Sequence, residues 1–168
     1  MGLKETRHQA GEWVASRHPA GILYGVIITG AVLSATAGHE TSARRIVATV
    51  LFVLGVYWLA DVYVRAFAHQ FQDGRDTLPH RLASAASHES SVLLGGVPAL
   101  GTFTIATALG ASPNTAADIA LWLTVVVLGS LAYLAARYAG STVREATIEA
   151  ALAGMLGVLM VVSKSLLH

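Results

Sequence analysis

The residues best placed to do chemistry are Asp61, Arg65 and His69, spaced four apart within the apolar run 46–71, IVATVLFVLGVYWLADVYVRAFAHQF. At helical pitch they form one stripe, extended by Tyr57 on one side and Gln72 on the other. An acid, a base and an imidazole in a row are the groups that relay protons or coordinate a small cation. Histidine titrates near physiological pH, and intramembrane acids mark ion pathways. The structural alternative is a self-neutralising pair: Asp61 and Arg65 can offset each other at i, i+4, and Arg65 can snorkel to the surface. In either case a bilayer does not accept such a stripe against lipid, so it must face protein or water.

The elements that would position these groups follow from the apolar pattern. With 54% hydrophobic and 12% charged residues and a mean hydropathy of +0.59, the chain departs from soluble domains toward multispanning membrane proteins. Five apolar stretches are expected to span, at 20–37, 46–68, 90–109, 116–138 and 145–167, each near the roughly 20 residues a bilayer requires. The fold class expected is therefore all-α, one polytopic transmembrane domain covering 1–168 and beginning with a polar cytoplasmic segment 1–19 in which Trp13 would sit at headgroup level. A basic lead, an apolar core and Ala35-Thr36-Ala37 imitate a signal peptide, but Glu5 and Glu12 in the lead oppose that reading.

Between the spans, Asp73-Gly74 marks a turn and Pro79 opens a helix that runs into the third span. Ala111–Thr115, with Pro113-Asn114, reads as a tight turn, and Ala139–Arg144 as another. The third span holds Gly95, Gly96, Pro98 and Gly101, which predict a kink. A broken helix near mid-membrane frees carbonyls that can meet a solute, with Thr102 and Thr104 close by; the plainer alternative is a bend used for packing. Small residues also recur at four-residue spacing: Gly30, Ser34 and Gly38; Ser91, Gly95 and Ala99; Ala146, Ala150 and Gly154.

Charge sets the expected orientation. With the N-terminus inside, Lys4, Arg7, Arg17, Arg65, Arg75, Arg81, Arg137 and Arg144 lie on the cytoplasmic side, against Arg44, Arg45 and Lys164 outside. The positive-inside rule predicts N-in and C-out. That topology brings Asp61, Arg65, His69, His88, Glu89, Arg137, Glu145 and Glu149 to one membrane level.

Several functions are disfavoured. There is no cysteine, hence no disulfide or thiolate site, and a formal net charge of +1 suggests no nucleic-acid partner. His39-Glu40 and His88-Glu89 lack the second histidine of a zinc motif, and no nucleophile elbow or phosphate loop occurs. No cofactor and no metal are expected. Nine arginines against two lysines hint at a high-GC bacterium, hence an inner membrane. The reading reached is a small homo-oligomeric channel or ion-coupled transporter for protons or a small cation, with the bilayer as solvent. The alternatives are a non-transporting scaffold or accessory subunit and, after it, an intramembrane enzyme acting on lipid, with histidines and acids as acid–base groups.

Overall fold

The computed structural model describes residues 19–39, 42–70 and 78–167. The expectations for Trp13, the N-terminal lead and the Asp73-Gly74 turn lie outside them. Every regular element among the described residues is helical: α1 (Pro19–Thr36), α2 (Ala43–Gln70), α3 (Leu78–Ala108), α4 (Pro113–Tyr138) and α5 (Val143–Leu167). The last four are long and apolar enough to cross a membrane, whereas α1 offers a shorter apolar stretch, Ala20–Thr36.

The two tight connections share one construction. After α3, Gly110 takes φ +93; its N–H donates to the Thr107 carbonyl, and that of Ala111 to Ala106. After α4, Gly140 takes φ +87, with N–H bonds from Gly140 to Arg137 and from Ser141 to Ala136. Both are Schellman endings, in which a left-handed residue turns the chain while satisfying orphan carbonyls. Each is followed at once by a new cap. The Ser112 side chain accepts the Thr115 N–H ahead of Pro113. At α5 a capping box forms: the Thr142 N–H donates to Glu145 Oε2 at 2.7 Å, and the Glu145 N–H donates back to Thr142 Oγ1 at 3.3 Å. Pro113-Asn114 is thus the first turn of α4, not the tight turn expected from the sequence. Proline lacks the N–H that this position would leave unused anyway.

α1 sits at the centre and touches all four other helices, while α2 packs substantially only on α1 and α3. α1 and α3 run parallel, because Gly21 meets Ser91, Gly25 meets Val92 and Gly95, and Thr29 meets Gly96 in rising order. α4 and α5 run antiparallel, with Val125 against Gly157 and Gly129 near Ala150. The α1–α3 approach depends on missing side chains: a Cβ on Gly25 would fall 2.9 Å from the Val92 carbonyl carbon and closer to its oxygen. Backbones that near one another gain dispersion and Cα–H···O contacts, the means of association where lipid removes any hydrophobic drive. The small-residue row used by α1 is therefore Gly21 and Gly25. Gly30, from the row expected, packs instead toward Met160 and Thr124.

The main core gathers at one end of the bundle, around Leu33, Ile46, Val50, Phe103, Ala117 and Leu121. Toward the other end α2 retains only a narrow contact on α3, where Val62 and Ala66 cluster with Ala85.

Candidate functional site

The position of Asp61 follows from which face of α2 is taken by its neighbours. Ile46, Val50, Leu54, Val62 and Ala66 are buried at multiples of four residues. Asp61 falls one residue before Val62, about 100° round the axis, so it leaves the packed row. It is exposed on the single chain, as are Arg65 and Tyr57. Among the described residues no hydrogen bond or ion pair engages the Asp61 carboxylate, so the self-neutralising pair with Arg65, the structural alternative, is not formed there. Arg65 has an interaction of its own. Asp61 lies nine residues before the end of α2, roughly 13 Å along the axis from it.

The helix register sets what shares its level. Leu54 lies against Gly96, Gly21 against Ser91, Gly30 against Met160 and Gly157 against Val125. Carried along helices of common rise, these contacts put Asp61, the backbone of residues 88–89, the first turn of α1 and Glu149 at one depth, within about a turn. Level does not mean contact. α2 and α5 share no substantial packing, and Glu149 is exposed on α5. The side chains of His69, His88 and Glu89 lie outside the described ones. Among the described residues no group of three or more His, Asp or Glu is arranged to hold a metal ion.

The glycine and proline positions of α3 separate into two kinds. Gly95 and Gly96 face neighbours: a Cβ on Gly95 would collide with the Ile22 carbonyl, and one on Gly96 would lie 2.7 Å from Leu54 and 2.8 Å from Thr29 Oγ1. Gly101 has open space beside it, and Pro98 is exposed. The helix continues through Pro98, which has no N–H and leaves the Leu94 carbonyl without its usual donor. Thr104 returns its hydroxyl to the Leu100 carbonyl at 2.7 Å.

Two features carry chemistry that the sequence did not announce. Lys164 is only 7% exposed, and its Nζ donates to Asp118 Oδ1 at 2.6 Å and to the Asn114 carbonyl at 3.0 Å. This ties the last turns of α5 to the first two turns of α4, at the opposite end from Asp61. Asp118 and Lys164 lie equally far from Ser141 in the antiparallel hairpin, which is the signal that could have found them. The second feature is a set of buried polar atoms with no hydrogen-bond partner: Thr29 Oγ1, Ser91 Oγ and Trp58 Nε1. All three belong to the α1–α2–α3 junction, and Thr29 and Ser91 flank the glycine crossing. Unpaired buried hydroxyls are uncommon and costly in a dry interior.

The class these features define is an all-helical bundle with four helices able, by length and composition, to cross a membrane. No family model, no curated protein and no solved structure matches the chain.

Proposed function

We propose that this chain is a homo-oligomeric membrane channel or ion-coupled transporter for protons or a small cation. It would cross the inner membrane of a bacterium five times, N-terminus inside, with α1 as the first span. At 18 residues α1 measures about 27 Å, close to the ~30 Å hydrocarbon thickness. The observation that carries the reading is Asp61: a carboxylate well inside an apolar helix, on a face that the other described helices leave uncovered. Such a group is expensive in lipid and is kept where an ion or proton uses it.

Asp61 is the intramembrane acid, Arg65 the group that sets its charge state or gates it, and Tyr57 a hydroxyl one turn further along. His69 or Glu149 is the entry relay at the cytoplasmic side, with His88 and Glu89 in the same polar cluster. The kink at Gly95, Gly96, Pro98 and Gly101 supplies a freed carbonyl beside this route. Flux into proteoliposomes, compared for the native chain and Asp61→Asn, is the test: the variant should lose most of the flux. Unchanged flux removes Asp61 from the mechanism, and no flux for any ion removes the class.

The same outward face favours a second reading. An ionisable pair on an uncovered span also suits a scaffold or accessory subunit that grips another membrane protein. That reading predicts co-purification with a partner and tolerance of Asp61→Ala combined with Arg65→Ala.

A further inference from the structure

We propose that the face of α2 carrying Tyr57, Asp61, Val64, Arg65 and Ala68 docks against the same face of a second copy of this chain, with Arg65 of each copy bonded to the partner's Asp61. All five residues are exposed on the single chain. Val64 alone, at 63% exposure, would sit comfortably in lipid. Asp61 and Arg65 would not, since each charged group at this depth costs a few kcal/mol against lipid. Something polar must cover this strip of an otherwise apolar helix.

The strip supplies its own complement. It holds one acid and one base, one turn apart, and no net charge. In a two-fold pair about the membrane normal, equal residues lie at equal depth. Helical side chains lean toward their own N-terminus. A guanidinium from position 65 therefore reaches back over the roughly 6 Å of rise to the depth of the carboxylate at position 61 across the axis. Five N–H donors in a fork let Arg65 keep its intrachain interaction while also serving that acceptor. The inference deepens the oligomer in the proposed function but rests only on α2 crossing the bilayer, so it stands for a transporter or a scaffold alike.

The chain has no cysteine, so single-cysteine variants report proximity without background. In native membranes under mild oxidation, Val64→Cys and Ala68→Cys should give disulfide-linked dimers, because a disulfide needs Cα atoms within about 7 Å. Leu59→Cys and Tyr63→Cys, on the opposite flank of the buried row, should give several-fold less. On the Val64→Cys background, Asp61→Arg or Arg65→Asp alone should lower the yield several-fold, and the double reversal Asp61→Arg with Arg65→Asp should recover it. Similar yields on both flanks, dimers only through Leu59 and Tyr63, or Val64→Cys linking instead to a cysteine placed within residues 1–18 of the same chain would each overturn the proposal. A double reversal no better than the single changes would overturn the pairing. Intact cross-links without flux would end the transport reading and leave this interface standing.

Discussion

Replacing Gly25 by alanine should separate α1 from α3 and destabilise the whole bundle. The added Cβ would lie 2.9 Å from the Val92 carbonyl carbon, 3.0 Å from the Gly95 Cα and closer still to the Val92 oxygen. Ordinary contact begins at 3.4 Å, and every obstructing atom is backbone, which cannot rotate away. The helices must therefore part by at least about half an ångström, loosening the packing around Gly21 and Thr29 with it. Overpacking of this kind costs about 1–3 kcal/mol, and every Cα–H···O bond that opens as the backbones separate adds about 0.5–1 kcal/mol. The comparison is Gly154→Ala, at a helical position with open space, where alanine should be neutral or stabilise by up to about 1 kcal/mol. Reversible unfolding in mixed micelles with increasing SDS, followed by far-ultraviolet circular dichroism, measures both. A Gly25→Ala protein as stable as Gly154→Ala would refute the reasoning, because the two differ only in what the new methyl meets.

The Lys164–Asp118 tie predicts an asymmetry. Asp118→Ala strands a buried ammonium and should cost about 2 kcal/mol, whereas Lys164→Met leaves a carboxylate that is 56% exposed and should cost under about 1 kcal/mol; the same unfolding titration ranks them, and the reverse order would be wrong for this geometry. Thr29→Val removes a buried hydroxyl with no partner and should stabilise the fold by about 1 kcal/mol. If flux falls while stability rises, the Thr29 hydroxyl lies on the conducting route; if flux holds, it serves packing alone.

Much of the architecture was legible because a bilayer-length apolar run leaves few alternatives to a helix. The long third helix starting near Pro79 was legible as well, and it is observed from Leu78. The start of α4 was misplaced because apolarity begins at Ala116, while the helix is begun by Ser112 and Pro113, where capping and not hydropathy decides. Gly21 and Gly25 were readable as a small-xxx-small pair, but nothing local ranks them above Gly30 and Ser34; the choice belongs to α3, whose Gly95 they meet. Lys164 and Asp118 are 46 residues apart, so their pairing needs the α4–α5 register. The outward aspect of Asp61 has the same origin. Composition placed the acid inside a span, but only the helices that occupy the row from Ile46 to Ala66 determine which way it faces.

The parallel pairing of α1 with α3 has a consequence for biogenesis. Gly25 is made well before the Gly95 it meets, and at 5–20 residues per second the interval is roughly 4–14 s. During that interval the central helix has none of its later neighbours except α2, and its glycine-lined side has no partner helix. The α1–α3 crossing therefore closes late in synthesis, and until then the Gly21–Gly25 side of this short helix lacks the backbone it is shaped to meet.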